Sequence, residues 1–335
     1  MGYLMNKIVN IDRKAMNDAA TSISQKTKKL KTKILLDMIY CGLKYQAGYN
    51  DYVEFEFYNM NNKQRNTYLT QGKNNAIIRK YNNKNFAFIL DNKIEFNKRF
   101  NDYLNRDWIY LKTSSYDEFV EFVSFYKKII AKVIDGEGGN GITIYNTFDL
   151  DPAILYDELK NNKQYLIEEC IIQHPIMESL YDKSVNSLRL FTFYKNGRIY
   201  FLNGILKIGN GGVVDNFSSG GMYAFINDAG IIDTPAIDKL DHEYTKHPIS
   251  NVDIVGFKIP LFDEAIKLVK NAHLQIPEVG YIGWDVAIGV KKPMIIEGNF
   301  YPGIFQKKAS YSNGEGLLSK YKQYMSIGEW LKWYA

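Results

Sequence analysis

Two carboxylates and one amide near the C-terminal end of the sequence could bind a metal ion. Asp285 lies in the segment GWDVAIG, and Glu297 and Asn299 lie in the segment MIIEGN. If these segments pair as an antiparallel hairpin centred near position 291, Asp285 lies opposite Glu297, and Asn299 lies on the same face. Facing carboxylates repel each other, and a hard divalent cation with oxygen ligands, such as Mg²⁺, removes the repulsion. The alternative is a pair in which one carboxylate is protonated or turned to solvent.

A glycine-rich loop in the segment KVIDGEGGNGITIYN could bind phosphate groups. Glycine lacks the Cβ atom that would keep backbone N–H groups away from an anion. P-loops and dinucleotide fingerprints continue into a helix, whereas ITIYN alternates as a strand does. Lys132 opens the segment within an apolar strand, where a charge is costly unless an anion compensates it. We therefore predict that Lys132 contacts phosphate rather than reaching into solvent. The glycines of this predicted site are Gly136, Gly138, Gly139 and Gly141.

The composition argues against several classes of protein. The 335 residues allow two domains or one large one, and an apolar content of 46% allows a sizeable core. A net charge of only +5, spread along the chain, argues against a dedicated nucleic-acid binder. The cysteines, Cys41 and Cys170, indicate a reducing compartment rather than a disulfide framework. Because no apolar stretch suits a secretion signal or a membrane span, we expect a cytoplasmic protein.

Helices and strands are both needed to position these residues. AFIL at 87–90 predicts a strand that leads into an amphipathic helix. Ser115 begins a capping-box pattern ahead of another helix, and Pro260 is expected at the first position of a third. Because no βαβ alternation occurs, the pattern predicts an α+β protein with mainly antiparallel sheets. Beyond the carboxylate hairpin, strands are predicted at IIAKVI, ITIYN, YLIEECII, SLRLFTFY, RIYFLNGILKI and YAFIND.

The first 50 or so residues are predicted to be helical and basic. A run of lysines precedes the apolar segment ILLDMIYCGL. These lysines can form a solvated helix face, or they can contact an anionic surface such as the inner face of a membrane. They are Lys26, Lys28, Lys29, Lys31 and Lys33.

The lysine with its glycine hairpin, the strand YLIEECII and the carboxylate hairpin together resemble the ATP-grasp enzymes. Further motifs resemble the sugar-transfer-associated ATP-grasp branch, whose members are associated with polysaccharide assembly. The resemblance covers about residues 50–320. The motifs are QHP at 173–175, SVNSLR at 184–189, VDNFSSGG at 214–221, HP at 247–248, GWD at 283–285 and EGN-x-x-PG at 297–303.

This resemblance implies an ATP-grasp fold, in which two α+β lobes with mainly antiparallel sheets clasp ATP. Residues 1–85 would form a helical N-terminal region that precedes the lobes. Residues 86–165 would form the small lobe with the glycine loop, and residues 166–335 would form the large lobe with the metal site.

The resemblance also implies which residues bind ATP. Lys93 and Lys132 match the two lysines that contact the phosphates. A hinge strand would hold adenine, largely through backbone groups, and the Cys170 side chain is interpreted as an apolar filler of that strand. The residues of this hinge are Glu168, Glu169, Cys170 and Ile171.

Asp285, Glu297 and Asn299 match the Mg²⁺ ligands of the family. Many ATP-grasp ligases have an arginine two residues before the metal-binding aspartate, but this chain has Gly283 there. Two cations in nearby predicted strands are candidates to supply the missing charge and to act in catalysis; the alternative for each is an ordinary surface or salt-bridged cation. These candidates are Arg189 and Lys207.

The family implies an ATP-dependent carboxylate–amine ligase that works through an acyl phosphate and releases ADP and phosphate. The acid would be a sugar acid or an amino acid, as a small-molecule or sugar-linked carboxylate of surface polysaccharide or capsule biosynthesis. Peripheral contact with membrane-bound polysaccharide machinery is also expected. The alternatives are an ATP-grasp kinase acting on a sugar hydroxyl and a non-catalytic ATP-binding scaffold. Candidate substrate contacts are His174, Asn186, Asn216, Ser218, Ser219 and His247, with a structural role as the alternative for His247.

Overall fold

The computed structural model describes residues 12–134, 141–212, 215, 217 and 220–325. The described chain divides into two compact units. One contains the residues up to Asn82 together with those from Gly303 onward, and the other contains Asn83–Pro302. The predicted division into 1–85, 86–165 and 166–335 stays a prediction. No described helix is both long and apolar enough to cross a bilayer.

The first unit is helical, and its core combines buried faces of its longer helices with apolar residues from the segments between helices. In helix Lys31–Tyr45, the buried residues Ile34, Met38, Cys41 and Tyr45 recur at helical spacing. The C-terminal segment packs against the N-terminal helices, since the Gln306 side chain exchanges two hydrogen bonds with the backbone of Leu69. The α-helices of this unit are Arg13–Thr27, Lys31–Tyr45, Tyr49–Glu54, Asn62–Arg65, Gln71–Tyr81, Ala309–Ser312 and Leu318–Tyr324, and a 3₁₀ turn spans Phe57–Asn59.

The second unit contains a four-stranded antiparallel sheet in the order β1–β4–β2–β3. Two helices, Tyr116–Phe125 and Pro152–Asn161, share one apolar cluster with this sheet. Ser115 caps the first of them by accepting a hydrogen bond from the Glu118 N–H, which confirms the predicted capping box. The strands are β1 (Trp108–Tyr110), β2 (Lys128–Lys132), β3 (Ile142–Asn146) and β4 (Leu166–Glu169).

A seven-stranded antiparallel sheet in the order β11–β10–β5–β6–β7–β8–β9 forms the rest of the second unit. Helix Phe262–His273 packs on it through Phe262, Ala265, Val269 and Ala272. The α+β class with mainly antiparallel sheets is thereby confirmed. The strands are β5 (Ser187–Lys195), β6 (Arg198–Ile208), β7 (Met222–Ile226), β8 (Ala236–Ile237), β9 (Glu243–Tyr244), β10 (Tyr281–Ile288) and β11 (Pro293–Asn299).

Two local predictions were wrong. AFIL lies in helix Ala87–Asp91 and not in a strand, because so short an apolar run does not distinguish a strand from one buried helical turn. Pro260 lies two residues before helix Phe262–His273, whose N-cap is Leu261 at a φ of 53°. The remaining helical segments of this unit are Lys84–Phe86 and Thr147–Asp149, both 3₁₀, with α-helices Lys93–Arg99, Asn101–Leu104 and Pro175–Leu180.

Candidate functional site

The predicted carboxylate hairpin is present as strands β10 and β11. Asp285 lies opposite Glu297, and Gly283 lies opposite Asn299, as the sequence predicts. The Asp285 side chain is buried, whereas that of Glu297 is 51% exposed. The Asn299 amide nitrogen donates a hydrogen bond of 3.2 Å to the Gly283 carbonyl oxygen, which orients the amide. Three oxygen-bearing side chains are therefore presented by one end of the hairpin.

Arg189 and Lys207 both contact the aspartate of this hairpin. Arg189 lies directly opposite Asp285 on β5, and its Nη2 donates to Asp285 Oδ2 at 2.9 Å while its Nε pairs with Oδ1. Lys207 reaches from β6 and places its Nζ 3.0 Å from the same Oδ2. Arg189 Nη2 also lies 4.0 Å from Glu297 Oε1. The structure thus brings both predicted catalytic cations to the predicted metal ligands.

The charges of this cluster set the ionisation of its carboxylates. Burial alone would raise the pKa of Asp285, but Arg189 and Lys207 lower it far below the usual range, so Asp285 is anionic. The pKa of Glu297 is raised because surrounding protein atoms displace part of its water, although half of its side-chain surface stays exposed, and because Asp285 repels it. Burial alone would lower the pKa of Lys207, but Asp285 and Asp215 raise it, so Lys207 keeps its charge.

The structure shows why Gly283 is compatible with Arg189. A Cβ atom added to Gly283 would lie 3.2 Å from Arg189 Cδ and 3.0 Å from Pro302 Cβ. A side chain at position 283 would therefore be crowded by both Arg189 and Pro302. This placement supports Arg189 as the replacement for the arginine that the family resemblance places at position 283.

Asp215 is a member of the cluster that the sequence did not single out. Its Oδ2 accepts hydrogen bonds from the backbone N–H of Ser187, at 2.8 Å, and from the Ser187 hydroxyl. Its Oδ1 lies 3.6 Å from Lys207 Nζ. Lys207 is therefore shared between Asp285 and Asp215. The available signal was the aspartate in the VDNFSSGG motif, since a buried lysine needs anionic partners.

A second buried cluster surrounds Lys132. Lys132 forms an ion pair with Glu168, a carboxylate that is only 1% exposed. The other oxygen of Glu168 accepts hydrogen bonds from Arg106 Nη2 and Asn97 Nδ2, each at 2.8 Å. Burial alone would raise the pKa of Glu168, but the Arg106 and Lys132 cations lower it to about 2. Arg106 and Asn97 could not be identified from the sequence, because each is more than 60 residues from Glu168 in the chain.

The side chain of Lys93, one of the two predicted phosphate lysines, reaches the start of the glycine loop. Lys93 begins helix Lys93–Arg99, and its Nζ donates a hydrogen bond of 3.0 Å to the carbonyl oxygen of Ile134, two residues beyond Lys132. At the far end of the loop, Gly141 has a φ of +73° and its carbonyl oxygen accepts from the Val133 N–H at 3.1 Å. The other predicted glycines, Gly136, Gly138 and Gly139, lie outside the described residues.

The predicted adenine segment is continuous with strand β4. β4 ends at Glu169, whose N–H donates to the Asp107 carbonyl oxygen at 2.9 Å, and Cys170 and Ile171 follow it partly buried. Burial raises the pKa of the Cys170 thiol to about 11, so it is not a thiolate at neutral pH. The Glu168 side chain belongs to the Lys132 cluster, and Glu168 is paired with β1 on one side and β2 on the other. Nucleotide contact by this segment stays a prediction.

Two of the predicted substrate residues anchor a loop. Asn186 is completely buried; its amide donates to Gln173, Met177 and Tyr181, and its oxygen accepts from the Gly209 N–H. The buried His247 ring also bonds Gly209, with Nε2 2.8 Å from the carbonyl oxygen. Both side chains thus hold the start of segment 209–221.

The other candidate substrate contacts have different positions. His174 is the N-cap of helix Pro175–Leu180, and its Nδ1 accepts a hydrogen bond from the Ile176 N–H. Asn216, Ser218 and Ser219 lie outside the described residues. Substrate contact by any of these residues, and by Asn186 and His247, stays a prediction.

The donor set of the hairpin suits Mg²⁺. Asp285, Glu297 and Asn299 offer hard oxygen atoms, which Mg²⁺ prefers. The raised pKa of Glu297 records repulsion from Asp285 that a cation would relieve. Within the described ranges, no group of three or more His, Cys, Asp and Glu side chains is placed to hold a metal. Metal binding by Asp285, Glu297 and Asn299 stays a prediction.

A model of the sugar-transfer associated ATP-grasp family matches residues 72–325. No curated protein matches the sequence. Among solved structures, the chain is similar to D-alanyl-alanine synthetase A from Vibrio cholerae, with 12% identity, a TM-score of 0.40, and coverage of 70% of this chain and 64% of that one. It is also similar to D-alanine–D-alanine ligase from Bacillus anthracis complexed with ATP, with 15% identity, a TM-score of 0.41, and coverage of 71% and 66% respectively. The chain therefore spans less than two thirds of the length of both proteins.

Proposed function

Since the chain belongs to the sugar-transfer associated ATP-grasp family, we propose that it is an ATP-dependent ligase that joins a carboxylate to an amine. The observation that carries this proposal is the convergence of Arg189 and Lys207 on Asp285 beside Glu297. A transferring phosphoryl group carries negative charge, and paired cations next to metal-binding carboxylates are suited to stabilise it. Family membership also gives the chain the ATP-grasp fold.

The proposed reaction has two steps. A carboxylate oxygen of the acid attacks the γ-phosphorus of ATP, the bond to the β-phosphate oxygen breaks, and ADP leaves. The amine nitrogen then attacks the carbonyl carbon of the acyl phosphate, the carbon–oxygen bond to phosphate breaks, and the nitrogen loses a proton. The products are an amide, ADP and phosphate.

The residues have separate roles in this proposal. Lys93 and Lys132 neutralise the ATP phosphates at the start of the glycine loop. Arg189 and Lys207 stabilise the charge of the transferring phosphoryl group. Asp285, Glu297 and Asn299 would hold Mg²⁺, which neutralises phosphate charge when bound in such sites.

We further propose that the acid is a small molecule or a sugar-linked carboxylate of surface polysaccharide biosynthesis. The support is the sugar-transfer association in the description of the family, and fold alone does not identify a substrate. A cytoplasmic location is part of the proposal, because both cysteines, Cys41 and Cys170, are free thiols.

Trapping the acyl phosphate tests the reaction. The protein is incubated with Mg·ATP, hydroxylamine and a panel of uronic acids, sugar nucleotides that carry them, and amino acids. A hydroxamate formed together with ADP supports carboxylate activation and identifies the acid. Release of AMP overturns the proposal in favour of adenylation, and ADP without hydroxamate overturns it in favour of a kinase. ATP binding without turnover on any acid of the panel favours a nucleotide-binding scaffold.

A further inference from the structure

Helix Lys31–Tyr45 has apolar residues on two opposite faces. One face, with Ile34, Met38, Cys41 and Tyr45, is buried in the core of its unit. At about 3.6 residues per turn, a second apolar stripe lies on the opposite side of the helix. This second stripe is exposed to solvent, although exposed helix faces are normally polar. Its residues are Leu36 at 68% exposure, Ile39 at 51%, Tyr40 at 39% and Leu43 at 48%.

The exposed stripe lies in a strongly basic segment. Between Lys26 and Lys44 the sequence has six lysines and one carboxylate, that of Asp37. Asp37 is already paired, since Arg65 Nη2 lies 2.6 Å from its Oδ2 and Tyr52 donates to it. Lys33 and Lys44 are exposed and flank the stripe on the helix. The charge around the apolar stripe is therefore positive, and its one acid is neutralised from within the unit.

This charge decides between possible occupants of the stripe. A second copy of the chain would bring a like-charged segment against this one, which is unfavourable. An anionic surface is complementary to it. Lys33 is exposed at one end of the stripe, and the exposed Lys44 at the other end donates a hydrogen bond to the Tyr40 hydroxyl. Aliphatic side chains with a tyrosine, flanked by exposed lysines, match helices that lie in the interface of a bilayer with anionic lipids.

We propose that Leu36, Ile39, Tyr40 and Leu43, flanked by Lys33 and Lys44, form a docking face for an anionic lipid bilayer. The apolar side chains would enter the headgroup region, and the lysines would contact lipid phosphates. This inference is independent of the proposed reaction, because it concerns residues of the first unit alone.

Sedimentation of the full chain with vesicles tests the docking face. One set of vesicles is phosphatidylcholine, and the other is equal parts of phosphatidylcholine and phosphatidylglycerol. We expect binding to the mixed vesicles to be at least about tenfold tighter, because each lysine near the surface adds to the attraction. We also expect this binding to weaken as NaCl rises from about 0.1 to about 0.5 M.

A pair of variants distinguishes binding through the docking face from nonspecific hydrophobic adsorption to vesicles. The double variant Leu36→Gln with Leu43→Gln should bind mixed vesicles at least about tenfold more weakly. Its Tm should stay within about 2 °C of the wild type, because both side chains are exposed. The matched control is Ile154→Gln, which removes a helical side chain of similar exposure, 66%, from helix Pro152–Asn161. This control should bind as the wild type does.

Several results would overturn the docking face. Equal affinity for both vesicle types would show that anionic lipid is not recognised. Wild-type affinity of the double variant for the mixed vesicles would show that the apolar stripe does not contribute to binding. A concentration-dependent dimer that the double variant abolishes would mean that a second copy covers the stripe. A Tm loss of more than about 5 °C in the double variant would mean that the stripe packs within the chain.

Discussion

The Arg189 side chain packs against Gly283 closely enough to crowd any Cβ atom at that position. The two residues lie on the neighbouring strands β5 and β10, and a Cβ atom at position 283 would lie 3.2 Å from Arg189 Cδ. From there the guanidinium reaches Asp285, with Nη2 2.9 Å from Oδ2. In this chain the arginine and the absence of a side chain at position 283 therefore depend on each other.

Moving the arginine between strands tests this relationship. Arg189→Ala should lower turnover at least about 100-fold, because the transferring phosphoryl group loses a cation. Adding Gly283→Arg to Arg189→Ala should recover at least about tenfold, since the crowding by Arg189 Cδ is then removed and Pro302 Cβ, 3.0 Å away, has to give way by only a few tenths of an ångström. Gly283→Arg alone should lower the Tm, because two side chains compete for one space. ADP release with the acid found by hydroxamate trapping measures turnover; a double variant no better than Arg189→Ala would contradict the exchange.

Glu297→Gln should separate activity from stability. We expect turnover to fall at least about 100-fold, because a metal-binding carboxylate is lost. The variant should nevertheless be at least as stable as the metal-free wild type at neutral pH, since repulsion from Asp285 raises the pKa of Glu297. Urea unfolding without metal and an ADP-release assay measure the two effects. A variant that retains full activity, or one that unfolds, would contradict this role.

The carboxylate hairpin could be predicted from sequence because it is local. Asn299 follows Asp285 by only 14 positions in the chain, and the pairing register of the two strands determines which side chains share a face. The same holds for the Ser115 capping box and for the strands on either side of the glycine loop, where short-range patterns are sufficient.

The partners of the site residues could not be predicted in this way. Arg106 and Asn97 reach Glu168 only because helices and β strands far apart in the chain meet. Asp215 lies in a polar, glycine-rich stretch that has no period to reveal its direction. AFIL shows the opposite limit, because a local pattern of four apolar residues fits two kinds of element equally well.

Glu168→Gln should weaken both the fold and ATP binding. The substitution leaves Arg106 and Lys132 as buried cations without their shared carboxylate, which costs about 3 kcal/mol of the free energy of unfolding. Lys132 would also lose the group that holds it at the start of the glycine loop. Urea unfolding measures the first effect, and calorimetric titration with ATP measures the second.

Lys132→Ala should abolish turnover while the fold persists, so a folded Lys132→Ala protein with full turnover would contradict the phosphate role.

His273 should make the second unit sensitive to acid. The ring is fully buried, with Nδ1 2.7 Å from Thr192 Oγ1 and Nε2 2.7 Å from the Val279 carbonyl oxygen, and burial lowers its pKa from 6.5 to about 4. Below pH 6.5 the His273 imidazole is therefore protonated in the unfolded chain, whereas in the folded chain it stays neutral until about pH 4. Stability should fall as the pH drops through this window, by about 3 kcal/mol in all.

A neutral replacement isolates this effect of His273. His273→Gln should be less stable than the wild type at neutral pH by about 1–2 kcal/mol, because it loses well-formed buried hydrogen bonds. Its free energy of unfolding should then decline less steeply than that of the wild type between pH 6.5 and about 4. The matched control is His242→Gln, whose ring lies on the surface beside Asp238. Urea unfolding between pH 6.5 and about 4 gives the free energy of unfolding of all three proteins. If this free energy falls equally steeply with pH for the wild type and His273→Gln, another group governs the acid response.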